Sequence, residues 1–344
     1  MHIGILTGGG DCPGLNAAIR AVVRHAIDTY GYRVTGILNG WSGLIENLYR
    51  PLGVDTVSGL LTKGGTILGT SRTNPFKLKG APQKIVDNFK KEKFDALIAI
   101  GGEDTLGVAT RLYDEYNLPV VGIPKTIDND IAGTDYTFGF YTAVSIATEA
   151  IDRLQSTAES HHRIMVVEVM GRHAGWIATY SGLASGADLI LIPEEPFDIE
   201  EVCAILRKRH KRGRDFSIVV VAEGAVPKDT KQRVLKDYKV DDFGHVCLGG
   251  IGSILAEEIQ KRMDIQTRYV ILGYIQRGGT PVPFDRILAS RYGFGAVKLI
   301  AEGEFGKMVA LQGNKIVPVE LKEATTRLKT VSKEIYELAK VFFG

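Results

Sequence analysis

Met1-His2-Ile3-Gly4-Ile5-Leu6-Thr7 runs directly into Gly8-Gly9-Gly10-Asp11-Cys12-Pro13-Gly14, and beyond it Leu15, Ile19, Val22, Val23, Ala26 and Ile27 recur at helical spacing. The apolar run reads as a buried strand and the stripe as the inward face of an amphipathic helix, with the glycine cluster as the turn between them. Glycines at such a turn let backbone N–H groups approach an anion, and the helix N-terminus adds partial positive charge. Pro13 suits the first helical turn, where its missing N–H is not needed. Pro13 also takes the third glycine position of GxGxxG, so the dinucleotide fingerprint fails, and no GxxxxGK[ST] loop exists. A phosphate-binding turn is expected, its ligand left open.

The same grammar repeats outward. Apolar runs at 34–38, 96–100, 120–123, 164–169, 189–192, 218–222 and 270–272 are bounded by Gly, Pro or Asp. They do not alternate, as burial on both faces of a sheet requires. Helical patterns lie between them, with long ones at 141–155 and 285–300. This alternation predicts an α/β fold with doubly wound, mainly parallel sheets. At 344 residues the chain exceeds the roughly 150 of a typical domain, which implies two domains or one large one. Its 44% hydrophobic and 24% charged residues are ordinary for a globular protein. Glycine stands out at 40 of 344 residues, well above the roughly 7% usual.

The net charge, 42 − 40 = +2, gives no bulk field for nucleic acid or acidic membranes. Cys12, Cys203 and Cys247 are far apart with no CxxC pair, which excludes a disulfide scaffold and a sulfur-ligated zinc site and fits a reducing cytosol. No apolar run approaches the ~18 residues of a membrane span. The start lacks a basic leader, so neither signal nor anchor is expected, and the expected location is cytoplasmic.

Three further loops carry polar chemistry. Lys63-Gly64-Gly65-Thr66 through Gly69-Thr70-Ser71-Arg72 is glycine-rich with a cation at each end. Gly101-Gly102-Glu103-Asp104-Thr105 follows the run at 96–100, and Pro124-Lys125-Thr126-Ile127-Asp128-Asn129-Asp130 follows that at 120–123. Ligands of open parallel sheets bind at the carboxyl ends of strands, where these loops should meet. Glu103 and Asp104 also suit the first turn of a following helix. Two carboxylates two residues apart, beside a lysine and a threonine, have the composition of acid/base and metal chemistry. His161, His162 and His173 show no metal-binding spacing, and neighbours on a strand edge point to opposite faces, so they are read as structural.

GGGDCPGLNAAIR (8–20), GGTILGTSR (64–72), GGEDT (101–105), PKTIDNDI (124–131), ESHHRIMVVEVMGRHAGW (159–176), VVVAEG (219–224) and VILGYIQRGGTP (270–281), in this order, resemble the phosphofructokinase family over residues 1 to about 305. The resemblance implies two Rossmann-like lobes and phosphoryl transfer to C1 of fructose 6-phosphate. It implies a larger donor-binding lobe from residues 1–137 plus 251–303 and a smaller sugar-phosphate lobe from 138–250 plus 304–344. Asp128 matches the family's base, with Thr126 and Asp130 orienting substrate and metal, and Glu103 stands where nucleotide-using relatives carry a Mg²⁺-associated Asp. Gly10, through its N–H, and Arg72 match donor contacts, and Arg172 matches a group bridging donor and acceptor.

For the sugar phosphate, the resemblance implies Arg163, Arg268 and Arg277, whose guanidinium forks suit phosphate oxygens. Met170, Gly171 and Arg172 would line the sugar, Glu223 would bond its hydroxyls, and Tyr274 takes a position usually held by His. In relatives the residues matching Arg163 and Arg268 reach across from a neighbouring subunit, implying a homodimer or homotetramer. Arg20 and Arg24 match effector-site arginines, but Leu52 stands about where relatives put another arginine, so weak or absent nucleotide control is expected.

Asp104 and Lys125 bear on the donor. ATP-using relatives carry Gly at position 104, making room for the nucleotide, and a carboxylate about 4 Å from a phosphate charge costs roughly 4 kcal/mol at an effective dielectric of about 20. Lys125 would compensate the dense charge of pyrophosphate. The pair resembles the pyrophosphate-dependent members. The alternatives are an ATP-dependent 6-phosphofructokinase tolerating Asp104, a nicotinamide-dependent oxidoreductase disfavoured by the failed fingerprint, and a non-catalytic sugar-phosphate sensor. Residues 306–344 carry no readable motif.

Overall fold

The computed structural model describes residues 1–228 and 249–344, so Cys247 lies outside the described residues. In chain order the strands are β1 (His2–Thr7), β2 (Arg33–Ile37), β3 (Tyr49–Leu52), β4 (Ala96–Gly101), β5 (Val120–Pro124), β6 (Ile164–Val169), β7 (Leu189–Leu191), β8 (Ser217–Ala222), β9 (Thr267–Ile271), β10 (Lys307–Gln312) and β11 (Lys315–Glu320). The helices are α1 (Leu15–Tyr30), α2 (Gly40–Glu46), α3 (Ala81–Lys91), α4 (Glu103–Tyr116), α5 (Phe140–Ser160), α6 (Trp176–Ser185), α7 (Ile199–Lys211), α8 (Ile251–Arg262), α9 (Pro283–Ala301), α10 (Glu323–Thr326) and α11 (Lys333–Lys340).

Two sheets result. The larger has the order β11-β10-β5-β4-β1-β2-β3, and the smaller β7-β8-β6-β9. The smaller sheet is parallel throughout, and in the larger only the outer pairs β2–β3 and β10–β11 are antiparallel. Every residue of β1, β4, β5, β6 and β8 is buried, as their unbroken apolar runs require. Leu15, Ile19, Val22, Val23 and Ala26 of α1 are all buried. Each of the larger ones contributes roughly 1.5–3 kcal/mol through removal from water. A Cβ on Gly293 of α9 would lie 2.7 Å from Ala18 O and 2.8 Å from Ala21 Cβ, so that glycine sets the close approach of α9 to α1.

The expected lobe boundaries need correction. β10 and β11, expected in the smaller lobe with residues 304–344, extend the larger sheet, where Lys307 pairs with Val121. β9, expected in the larger lobe, joins the smaller sheet with Ile164 opposite Thr267. Sheet membership follows the pairing partner, which lies far away in the chain. β3, β10 and β11 were absent from the strands read in the sequence. Both edge strands of the larger sheet, β3 and β11, contain a proline, Pro51 and Pro318. Proline is tolerated at a sheet edge and discourages edge-to-edge pairing, and it also hides a strand from pattern reading.

Buried Glu168 anchors the smaller lobe. Its carboxylate accepts from Gly250 N (2.9 Å) and Gly252 N (2.7 Å) at the start of α8. No helix among the described residues is long and apolar enough to cross a membrane.

Candidate active site

The glycine-rich loops meet at the carboxyl ends of β1, β4 and β5. Gly8 N donates to Ile100 O (2.9 Å), Gly9 N to Ser71 O (3.1 Å) and Lys125 N to Gly101 O (2.9 Å). Thr70 Oγ1 closes the second loop onto Gly9 O at 2.6 Å. Thr105 plugs the junction: a Cβ on Gly8 would lie 2.6 Å from its Oγ1, and one on Gly101 2.3 Å from its Cβ. These glycines are therefore required by packing as well as by any ligand. In the sequence Thr105 is legible only as part of a motif, because its contacts are with loops distant in the chain.

Gly9, Gly10, Arg72, Gly102, Glu103, Asp104, Thr105, Lys125, Thr126, Asp128, Asp130, Arg172 and Arg277 line one cleft. Lys125 is only 2% exposed, and its ammonium donates to Gly10 O. Burial lowers its pKa; the nearby Arg277 charge adds to this, while Asp128 and Asp11 oppose it. Arg277 lies over the first loop, its Nη1 2.7 Å from where a Gly10 Cβ would stand and donating to Asp11 O at 3.3 Å. Arg277, expected among the sugar-phosphate arginines, thus sits directly beside the first glycine loop.

Asp128 is 3% exposed. Its Oδ2 accepts from Thr126 Oγ1 at 3.3 Å, Thr126 Oγ1 accepts from Asp128 N at 3.1 Å, and its Oδ1 is buried with no hydrogen-bond partner. Burial, and then the Asp128 charge, push Asp130 up to about 7, with Glu103 adding to the rise and Arg172 opposing it. Asn129 between the two acids adopts the left-handed region, φ 52°. Arg172 does likewise at φ 51°, after Gly171 at φ 149°. That turn is held by Glu223, whose Oε1 accepts from Arg172 N (3.0 Å) and Gly171 N (3.3 Å). Burial raises the Glu223 pKa, and Asp128 adds to it. Met170 N donates to Gln276 Oε1 at 3.3 Å.

Three expected residues lie elsewhere. Arg163 immediately precedes β6 and bonds Gln266 Oε1 (2.5 Å), while Arg268 on β9 pairs across from Met165. The seven residues from Arg163 to Val169 span about 20 Å at strand rise, so both arginines sit toward the starts of their strands, away from the cleft. Tyr274 is 79% exposed and does not line the cleft. His162 pairs with Asp215 at 2.5 Å on the surface.

Among the described residues no three His, Cys, Asp or Glu side chains are placed to hold a metal ion by themselves. The neighbouring carboxylates Glu103 and Asp130 in the cleft nevertheless suit Mg²⁺, which takes one or two carboxylates and completes its shell with water and phosphate oxygens.

A family model described as Phosphofructokinase matches residues 2–300. The chain belongs to the phosphofructokinase family. A pyrophosphate–fructose 6-phosphate 1-phosphotransferase of Streptomyces coelicolor is 59% identical to it over 344 residues, covering 100% of both chains. An ATP-dependent 6-phosphofructokinase 2 of the same organism is 52% identical over 343 residues, again covering 100% of both. The phosphofructokinase structure of Saccharomyces cerevisiae superposes with a TM-score of 0.82 at 32% identity, covering 99% of this chain and 46% of that longer one. Within this phosphofructokinase, the cleft places a carboxylate with an unpartnered oxygen among four cations, an arrangement able to deprotonate a hydroxyl beside a polyanion.

Proposed function

We infer that this phosphofructokinase transfers a phosphoryl group from pyrophosphate to the 1-OH of fructose 6-phosphate, giving fructose 1,6-bisphosphate and orthophosphate, reversibly. The observation that carries the reading is the unpartnered Asp128 oxygen in one cleft with Arg72, Lys125, Arg172 and Arg277. Phosphoryl transfer demands little covalent chemistry from a protein; it needs positioning, a proton acceptor and fixed positive charge. The name of the 59% identical Streptomyces coelicolor relative supports pyrophosphate as donor.

In this mechanism Asp128 accepts the proton of the 1-OH as it attacks, while Thr126 and Asp130 hold substrate and base in register. Gly10 N–H and Arg72 grip the donor, Arg172 spans donor and acceptor, and Lys125 stabilises the departing orthophosphate. Glu103 and Asp130 are the residues that would hold Mg²⁺, which supplies charge neutralisation on the pyrophosphate oxygens. Met170, Gly171 and Glu223 shape the sugar pocket. Asp104, at the first turn of α4, opposes a nucleotide with its charge.

Arg163 and Arg268 are assigned to the 6-phosphate of a neighbouring subunit's site, which makes the working unit at least a homodimer, and Tyr274 is assigned one hydrogen bond to a 6-phosphate. The distance of both arginines from the cleft of their own chain supports this, as does the position of β9 at the edge of the smaller sheet among the described residues, where Tyr269 and Ile271 are about half exposed. The compartment assigned is the cytoplasm, consistent with buried, unbridged Cys12 and Cys203. ATP is the second donor reading, favoured by the 52% identity to the ATP-dependent relative. Initial rates with purified protein, Mg²⁺, fructose 6-phosphate and each donor decide: turnover with pyrophosphate alone is expected, and ATP serving equally well would overturn the assignment.

A further inference from the structure

The tail without a sequence motif threads the site. After α10 the chain crosses from the larger lobe to the smaller one through residues 327–331. Leu328 bridges to Ile131, and Lys329 N donates to Asp130 O at 2.9 Å. From the other lobe, Trp176 Nε1 donates to Lys329 O at 2.9 Å. Val331 N donates to Glu194 Oε1 at 2.9 Å, and the same carboxylate accepts from Gly175 N at the head of α6, at 3.0 Å. The crossing therefore grips the catalytic loop on one side and α6 on the other.

The Lys329 side chain folds back into this junction. Its Nζ donates to Asn129 Oδ1 (3.1 Å) and to Asp135 O (2.5 Å). Asn129 Oδ1 also accepts from Thr137 N at 3.1 Å, so one amide oxygen fixes the left-handed residue between Asp128 and Asp130. The ammonium lies 5.2 Å from the Trp176 ring and 5.7 Å from Tyr136, over faces that attract a cation. Burial lowers its pKa to about 8, against the pull of Asp135 and Asp130.

We propose that Lys329 is a positioning residue for phosphoryl transfer, its ammonium holding Asn129 and its peptide group holding Asp130 and Trp176, so that the aim of Asp128 is tied to the setting of the two lobes. The inference rests on the reading of Asp128 as the base. Lys329 touches neither donor nor sugar; it acts through Asn129.

The test uses the full chain with Mg²⁺, pyrophosphate and fructose 6-phosphate. A displacement of about 1 Å at a reacting group costs up to about 100-fold, so Lys329→Met should lower kcat by roughly 10- to 100-fold. KM for both substrates should stay within about threefold, because the binding groups are untouched. The melting temperature should move by no more than about 4 °C. Lys329→Arg, keeping charge and donors, should restore most of the lost kcat. Amide exchange over residues 126–131 should quicken by about tenfold in Lys329→Met. Unchanged kcat and exchange would overturn the proposal. So would a loss of kcat matched by lost sugar binding and a collapsed melting temperature, which Lys329→Arg fails to repair. A wild-type chain inactive with both donors would sink the functional reading instead, and exchange over 126–131 would then decide separately whether Lys329 holds the loop.

Discussion

Replacing Asp104 by glycine should open the cleft to a nucleoside triphosphate. Asp104 stands in the first turn of α4, half-buried, lining the cleft beside Lys125. At about 4 Å from a phosphate charge its carboxylate costs about 4 kcal/mol at an effective dielectric of about 20, and about 2 kcal/mol if partial exposure doubles that dielectric. The corresponding change in ATP affinity is roughly 30- to 1,000-fold. The same carboxylate complements the α4 dipole by about 0.3–1 kcal/mol, and glycine in a helix costs about 1 kcal/mol more, so the variant should also melt a few degrees lower. Initial rates at saturating fructose 6-phosphate and Mg²⁺, with ATP and pyrophosphate titrated separately, measure the effect. ATP kcat/KM should rise at least about 30-fold while that for pyrophosphate changes less than about tenfold. A folded Asp104→Gly protein whose ATP kcat/KM stays within about threefold of wild type would refute the exclusion argument.

Other expectations follow from the same geometry. Asp128→Asn keeps the shape and removes the base, so kcat should fall by about a thousandfold with sugar binding by calorimetry retained; a drop of less than about tenfold would remove Asp128 from that role. If Arg268 serves a neighbour's site, mixing inactive Arg268→Ala and Asp128→Asn chains should regenerate roughly a quarter of wild-type activity in random dimers, whereas sites complete within one chain would regenerate none. Asp285, fully buried, accepts from Thr142 N (2.8 Å) and Oγ1 (2.6 Å), yet burial pushes it from 3.8 up to about 6. Between those values the folded chain keeps a proton that the unfolded chain has released. The stability this confers is complete below about pH 3.8 and lost as pH rises to about 6, some 3 kcal/mol in all. Denaturant titrations across that window should show a falling slope that Asp285→Asn flattens; identical slopes in the two proteins would contradict the burial argument.

Much of this was legible in the sequence, for a physical reason. A strand buried on both faces must be apolar throughout, and β1, β4, β5, β6 and β8 announce themselves that way. The four loops showed through because close backbone approach demands glycine and because charge is rarely concentrated after a strand without purpose. What stayed hidden depends on distant partners. Edge strands β3 and β11 are half-exposed and carry Pro51 and Pro318, so neither periodicity nor propensity marks them. Whether β9 or β10 joins a given sheet is settled by β6 and β5, not by their own residues. Lys329 is one lysine in a polar tail, and nothing nearby in the chain signals that its amine lies against Asn129.

The order in which the chain is made gives this pairing a further meaning. β10 joins the larger sheet against β5, its paired residue lying 307 − 121 = 186 positions further along the chain. At a synthesis rate of about 5–20 residues per second, β5 waits roughly 9 to 37 seconds on the ribosome for its neighbour. The segment that clasps residues 129–131 emerges later still. A growing polypeptide therefore holds β5 without its β10 neighbour, and residues 129–131 without their clasp, until those segments emerge, and quality control has that interval in which to inspect an open sheet.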